Sequence, residues 1–88
     1  MNTYPLLISS PDGTVFSNEV ISLSLRGAEG DLAVLAGHAP FITSVKSGDC
    51  KIELKDNTQI KGHTEGGLLT VATDKVTLLS ASFTWIDK

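Results

Sequence analysis

The sequence is poor in several kinds of residue, and each scarcity limits the possible class of protein. Its 88 residues include a single cysteine, Cys50, so no disulfide can form within the chain, and a reducing compartment is the simpler interpretation. Seven Lys and Arg stand against ten Asp and Glu, a net charge of −3. So few cations argue against nucleic acid as a partner, because such a surface needs clustered Lys and Arg. No apolar run approaches the roughly 18 residues that cross a membrane, and residues 1–5 lack the basic and apolar segments of a signal peptide. We therefore expect a soluble protein of one domain, residues 1–88.

The apolar residues that are present, 41% of the chain, follow the period of β-strands. Residues 50–55 alternate Cys, Ile and Leu with Lys, Glu and Lys, which is typical of a strand with one buried and one solvated face. Residues 20–25 alternate as well, since Ile21, Leu23 and Leu25 are separated by serines. The other predicted strand runs are 4–8, 14–16, 58–61, 68–72, 76–81 and 83–86.

Turn signals separate these runs. Residues 9–13 contain Pro11 and Gly13, which fit the two special positions of a turn. Residues 56–57, 66–67 and 73–75 mark further turns or breaks. Short strands at this spacing, about eight to ten of them, predict an all-β fold, a flattened β-sandwich or barrel in a single domain. No segment predicts a helix, and no linker divides the chain.

The segment with most chemical variety, residues 26–40, does not match a catalytic or nucleotide-binding motif. Glycines 27 and 30 lack the Gly-x4-Gly-Lys-Ser/Thr spacing of a phosphate loop, and Glu29 and Asp31 would repel phosphate. The glycines fit a turn instead. The two acids are then either solvated turn residues or a negative tip that docks against a partner.

The two histidines, His38 and His63, do not predict a metal site. Nothing pairs them at a ligand spacing, and Cys50 lies on a predicted inward face. A Ser–His–Asp triad stays open from sequence, but the chain has no Gly-x-Ser-x-Gly elbow. We expect no catalytic residue, metal or cofactor. His38, flanked by a glycine and followed by Pro40, is a solvated side chain, a satisfied polar anchor of the loop, or a partner contact.

Three motifs give the chain a resemblance to a known family. They are Gly27-Ala28-Glu29-Gly30-Asp31-Leu32, Gly37-His38-Ala39-Pro40 and Gly66-Gly67-Leu68-Leu69. Together they resemble the epsilon subunit of rotary F-type ATP synthases, called delta in mitochondria, and specifically its N-terminal β-sandwich. The resemblance extends from about residue 4 to residue 81.

The resemblance implies a non-catalytic rotor subunit at the foot of the central stalk. Such a sandwich packs against the gamma subunit, rests on the polar loops of the membrane c-ring, and couples ion translocation to ATP synthesis. It would be peripheral to a bacterial energy-coupling membrane on the cytoplasmic side, or on the stromal or matrix side in an organelle. Carried over by position, Glu29, Gly30 and Asp31 are expected at the c-ring interface, and His38 and Thr43 at the gamma interface.

The chain also departs from the family pattern. Ala36 stands where a proline is common before Gly-His-Ala-Pro, Ala33 stands where glycine is frequent, and residues 63–65 are more polar than in many relatives. The sequence ends at Lys88, before the C-terminal helical hairpin that many relatives carry. We therefore expect neither inhibition by hairpin extension nor a hairpin ATP site.

One alternative has a different function. An unrelated small β-sandwich could bind a peptide or a carbohydrate. That reading requires a concave apolar pocket with a few converging polar groups, whereas a stalk subunit binds through its outer surfaces.

Overall fold

The computed structural model describes residues 2–86, and this part of the chain forms nine β-strands and no helix. The strands are β1 Tyr4–Ser10, β2 Gly13–Gly27, β3 Gly30–Leu35, β4 Phe41–Val45, β5 Gly48–Leu54, β6 Gln59–Thr64, β7 Gly67–Val71, β8 Val76–Ser80 and β9 Phe83–Ile86. The all-β prediction is confirmed, and the number of strands lies within the expected range. The last strand has the bounds that its sequence pattern predicted.

Hydrogen bonds join the nine strands into one continuous sheet. The order is β1-β8-β7-β4-β2-β5-β6-β9, with β3 added beside β2. All paired strands are antiparallel except β1 and β8, which run parallel. The sheet folds over on itself. Buried side chains from strands at both ends of the strand order therefore meet in a single hydrophobic core. The result is a flattened sandwich with two layers.

Strand β2 belongs to both layers. Its first half pairs with β1, and its second half lies between β3 and β5. The sequence pattern separated residues 14–16 from residues 20–25, because residues 17–19 are polar. The structure joins them into one strand of 15 residues, since the backbone of 17–19 pairs with Leu7, Leu6 and Pro5 of β1.

A bulge at Ile21 marks the passage of β2 between the layers. Val20 pairs with Leu54 and Ser22 pairs with Glu53, so Ile21 is an extra residue on the β2 side. A bulge of this kind bends a strand and increases its twist. As a consequence the adjacent side chains of Val20 and Ile21 are both buried.

Alternate residues of the strands fill the core. The fully or nearly buried members of the cluster are Tyr4, Leu6, Ile8, Val20, Leu23, Leu25, Val34, Val45, Cys50, Ile52, Leu69, Val71, Val76 and Leu78. The Tyr4 hydroxyl donates a hydrogen bond to the carbonyl oxygen of Val34 at 2.7 Å, which links β1 to β3. Burial raises the pKa of Tyr4, so the phenol stays a neutral donor.

A buried polar relay closes one corner of the sandwich. The amide of Gly66 donates to Thr64 Oγ1 at 3.1 Å, and the hydroxyls of Thr64 and Ser80 share a hydrogen bond of 2.5 Å. Ser80 Oγ in turn donates to the carbonyl of Ser82 at 2.8 Å. Each hydroxyl therefore has a donor and an acceptor role, as burial of a polar group requires.

The Gly66-Gly67 pair begins β7 beside this relay. Gly66 has a φ of 107°, which side chains rarely adopt. A Cβ atom at Gly67 would overlap the carbonyl oxygen of Leu79 on the neighbouring strand. The second glycine is therefore needed for close approach between β7 and β8, and the first for the turn.

The close approach at Gly67 leads to a test of stability. Gly67→Ala should lower the free energy of unfolding by roughly 1–3 kcal/mol or more, because the methyl group must push two paired strands apart. The measurement is urea-induced unfolding followed by circular dichroism. Gly48→Ala is the matched control, since its Cβ would only touch the Arg26 Cβ at 3.7 Å. Equal effects at both glycines would contradict the assignment.

Candidate docking surfaces

The acidic tip lies at the turn of the β2–β3 hairpin. Gly27 pairs with Gly30, so Ala28 and Glu29 form the turn between them. Gly30 has a φ of 129°, which only glycine adopts readily. Asp31 is already in β3, opposite Arg26, and the 3.7 Å ion pair between these exposed side chains contributes little to stability. The structure thus places the predicted c-ring residues together at one exposed end of the hairpin.

Backbone hydrogen bonds hold the base of this tip. The amide of Ala28 donates to the carbonyl of Ser44 at 3.1 Å, and the amide of Lys46 donates to the carbonyl of Arg26 at 2.9 Å. Residues 44–46 span the end of β4 and the start of the β4–β5 loop. The position of the tip therefore depends on that loop.

His38 lies at the other end of β3. Its amide donates to the Leu35 carbonyl at 3.2 Å, its Nδ1 is 3.0 Å from the Ala39 carbonyl oxygen, and its ring centroid is 4.9 Å from that of Phe41. The six residues of β3 separate His38 from the acidic tip by about 20 Å. The structure does not bring these two predicted contacts together, so they must serve different parts of any partner assembly.

Thr43 is less exposed than its predicted role suggests. It is half-buried on β4, opposite the buried Leu69, and its Oγ1 donates to the Ser44 carbonyl at 3.3 Å. The next residue towards the N-terminus, Ile42, faces outwards and is 67% exposed. Ile42 therefore offers a partner more surface than Thr43 does.

An apolar face that the sequence analysis missed covers the outside of β1, β8, β7 and β4. We call it the outer apolar face. Its apolar residues are Leu7, Ile42, Leu68 and Leu79, and the strand register places Ser9, Ser44, Thr70 and Thr77 among them. Ile42, Leu79 and Leu68 are 67%, 51% and 41% exposed, and none of these eight side chains is charged. A groove of about 470 Å³ runs beside Leu68 and Leu79. Exposed apolar patches of this kind mark interaction surfaces.

The sequence did carry a signal for this face. Residues 68–69 and 78–79 are both Leu-Leu, and adjacent leucines in a strand place apolar side chains on both of its faces. A strand with one solvated face would alternate instead. Two such doublets on neighbouring strands indicate a sheet face that a second body covers.

The outside of the other layer is charged. A groove of about 660 Å³ there is lined by Arg26, Asp31, Asp49, Lys51 and Lys61 among others. Its lining differs from the apolar pocket that a peptide- or carbohydrate-binding module requires. The two outer faces of the sandwich therefore differ in chemistry.

Aromatic side chains close the sheet edge formed by β9. The Trp85 ring packs edge-on against Phe83 and Phe16, with centroid distances of 5.0 and 5.9 Å. Phe83 is half-buried and lies over Gly62, where a Cβ would collide with its ring. Phe83 therefore caps the core, while Trp85 stays 41% exposed.

The described residues do not form a nucleophilic site or a metal site. Burial raises the pKa of Cys50 to about 11, so its thiol is a poor nucleophile. Within residues 2–86, no three His, Cys, Asp or Glu side chains are grouped so that they could hold a metal ion. The same part of the chain has no helix that could cross a membrane.

Fold and surfaces together define a small β-sandwich domain with two exposed features, an acidic hairpin tip and an apolar sheet face. Residues 3–86 match the family model described as ATP synthase, Delta/Epsilon chain, beta-sandwich domain. The chain belongs to this family, as the three motifs indicated.

Similar proteins agree with this assignment. The chain is 37% identical over 87 residues to an ATP synthase epsilon chain from Bacillus thuringiensis (strain Al Hakam), covering 93% of this chain and 61% of that relative. It therefore spans less than two thirds of the relative's length.

Two solved structures share the fold. A chain in the Euglena gracilis mitochondrial ATP synthase, solved as OSCP/F1/c-ring, matches with a TM-score of 0.89 and 22% identity, over 97% of this chain and 56% of that one. A chain in the Tetrahymena thermophila mitochondrial ATP synthase, solved as central stalk/c-ring, matches with a TM-score of 0.75 and 13% identity, over 93% and 66%. The β-sandwich is thus the same despite low sequence identity.

The outer apolar face can be tested by comparing two adjacent leucines of β8. Leu78→Ala should destabilise the protein by about 2–5 kcal/mol, because Leu78 is fully buried. Leu79→Ala should change the stability by only about 0.5 kcal/mol, because Leu79 lies on the outer face. Chemical denaturation of both variants measures the difference. A large loss at Leu79 would show that this face is not open in the isolated chain.

Proposed function

We propose that this chain is a non-catalytic central-stalk component of a rotary ATP synthase, which binds the gamma subunit and the c-ring and couples ion translocation to ATP synthesis. Family membership supports the assignment to ATP synthase. The observation that carries the specific role is the outer apolar face, which has no cover within residues 2–86. An uncharged sheet face of this kind fits permanent association with another subunit better than a free existence in water.

The proposed gamma surface combines this face with His38. The His38 ring packs on Phe41, and the following residue, Ile42, is the most exposed apolar side chain of the face. Phe41 and Ile42 project to opposite faces of β4, so a partner that covers Ile42, Leu68 and Leu79 would contact His38 by extending around the start of this strand. Thr43 lies on the same strand and stays a predicted, secondary contact.

The proposed c-ring contact is the Glu29-Gly30-Asp31 tip. It lies at the far end of β3 from His38, so one domain can contact two partners at once. Exposed carboxylates can pair with polar or basic groups on the loops of a ring, and the glycine lets backbones approach closely. The domain would then be peripheral to the membrane, attached through the complex, with neither cofactor nor catalytic residue of its own.

The gamma surface can be tested by binding to the isolated gamma subunit from the same organism. Ile42→Glu should weaken binding by at least about tenfold, or roughly 1.4 kcal/mol, because a carboxylate would be buried against apolar groups. His38→Glu should also weaken it. Isothermal titration calorimetry or co-purification measures the effect.

Gln59→Glu is the matched control for these variants. Gln59 is exposed on β6, on the other layer, and its substitution adds the same single negative charge. Absence of wild-type binding would contradict the stalk assignment. Equal losses in Ile42→Glu and Gln59→Glu would keep the assignment but place the gamma surface elsewhere.

The tip can be tested separately with a c-ring pull-down. The double variant Glu29→Lys and Asp31→Lys, bound to gamma, should associate more weakly with the purified c-ring than wild type, because both changes reverse the sign of the tip. Its affinity for gamma should fall less than its affinity for the c-ring, since the tip is about 20 Å from His38 and neither substitution changes a residue of the outer apolar face. Unchanged association with the c-ring would refute the proposed contact.

A further inference from the structure

His63, on β6, lies between two carboxylates. Its Nδ1 is 3.1 Å from Asp49 Oδ1 on β5, and its Nε2 is 3.1 Å from Glu65 Oε2 just beyond the end of its own strand. The other oxygen of Glu65 accepts a hydrogen bond from Ser47 Oγ at 3.1 Å. One chain of contacts thus runs through four side chains, Asp49, His63, Glu65 and Ser47.

This geometry requires a charged imidazole. An ionised carboxylate only accepts hydrogen bonds, and a neutral imidazole has one N–H. Both contacts of His63 are satisfied only when both ring nitrogens carry a proton. In agreement, the hydrogen bond to Asp49, helped by the charge of Glu65, raises the pKa of His63.

The surroundings of His63 carry charges of both signs. In the strand register, Asp49 of β5 faces it on one side and Thr84 of β9 on the other. Asp49 also lines the charged groove together with three cations, Arg26, Lys51 and Lys61. These cations disfavour protonation of His63. The two carboxylates are in direct contact with its ring and therefore have the larger effect on its pKa.

The chain of contacts leads from His63 to the base of the acidic tip. The turn of Glu65 and Gly66 packs on the β4–β5 loop, because a Cβ at Gly66 would come within 3.0 Å of the Val45 carbonyl oxygen. Ser47, held by Glu65, directly follows Lys46. The amide of Lys46 donates to the carbonyl of Arg26, and Ala28 is bonded to Ser44.

We propose that His63 is a proton-dependent brace that, when charged, ties β5, the β6–β7 turn and the β4–β5 loop together beneath the acidic tip. Loss of the proton leaves one nitrogen lone pair facing a carboxylate oxygen, so one contact breaks. If the Asp49 contact is kept, Glu65 is released and its hold on Ser47 weakens. The brace exists whether or not the tip contacts a c-ring; if it does, pH would change the stiffness of that contact.

The direction of the pH dependence follows from linkage. Because the pKa of His63 is raised in the folded state, its stabilising contribution is fully present below the ordinary histidine value of about 6.5. The contribution is lost as the pH rises through the higher folded-state value. The brace is therefore closed in mildly acidic solution and open in alkaline solution.

The protonation state can be measured by an NMR titration of the His63 ring. His63 should titrate with a midpoint above about 6.5, and Asp49→Asn or Glu65→Gln should lower it. Asp74→Asn is the control, because it removes one carboxylate in the β7–β8 turn, at the opposite end of β7 from Glu65, and it should leave the His63 midpoint unchanged. A His63 midpoint at or below 6.5, or one that neither variant lowers, would overturn the proposal.

The effect on the tip can be measured by amide hydrogen exchange. Protection factors of the Lys46 and Ala28 amides, corrected for intrinsic exchange, should fall severalfold between pH 5.5 and pH 8.5 in wild type and stay level in His63→Gln. The Asn57 amide, which donates to Leu54 in a different hairpin, is the control and should not change. The same fall in His63→Gln, or a parallel fall at Asn57, would refute a local brace. Neither measurement involves gamma or the c-ring, so their results are separable from failure of the proposed function.

Discussion

The sandwich depends on one long strand that is hydrogen-bonded in both layers. Strand β2 pairs with β1 in one layer and with β3 and β5 in the other, and it meets β4 at Gly27. The bulge at Ile21 supplies the bend, so two adjacent side chains are both buried at this point, Val20 within the core cluster and Ile21 outside it. Sliding one layer over the other would break the ladder of β2 on one side of the bulge. A close-packed interior adds to this resistance, because it deforms little under load. Such a body suits a component that must pass force between its partners without absorbing it.

The two layers differ on the outside, and the difference orients the domain. One outer surface carries Ile42, Leu68 and Leu79 without a charged neighbour in the face, while the other carries the groove with Lys51 and Lys61. Apolar area gains free energy when a partner covers it, roughly 25 cal/mol per Å², whereas exposed lysines gain little from burial. A partner that binds through apolar contact therefore gains most on the face with Ile42, Leu68 and Leu79, because the other exposed apolar side chains, Leu35, Trp85 and Ile86, lie on β3 and β9. Once that face is covered, the acidic tip projects from the end of β3, so the fold itself fixes the angle between the two proposed contacts.

Features that depend on neighbouring residues could be predicted from the sequence, whereas features that depend on pairing between distant residues could not. The strand at 50–55, the hairpin that follows it and the strand at 83–86 all carry their own periodicity or turn residues, so sequence predicts them well. The parallel pairing of β1 with β8 joins residues about 70 positions apart, and no local pattern encodes that contact. Strand β4 also pairs with a distant partner, β7. Strand β3 pairs locally with β2, but its apolar run 32–35 does not alternate with polar residues, so no period-two pattern indicates a strand there. For the site, the motifs located the tip and His38, but only the register revealed that Thr43 faces inwards while Ile42 faces out.

Strand register gives the polar residues 63–65 specific contacts that could not be predicted from the sequence alone. In the sequence they read as an unexplained departure from an apolar pattern. In the fold, Thr64 points inwards to the buried relay with Ser80, while its neighbours His63 and Glu65 point outwards to Asp49 and Ser47. The same three residues therefore fix the β6–β7 turn from both sides of the sheet. The inner tie is made by hydroxyl, amide and carbonyl groups, which do not titrate near neutral pH, so protonation of His63 does not change it. The outer tie is complete only when His63 is charged, so the proposed brace would make the stiffness of the adjoining loop depend on pH while the inner tie stays in place.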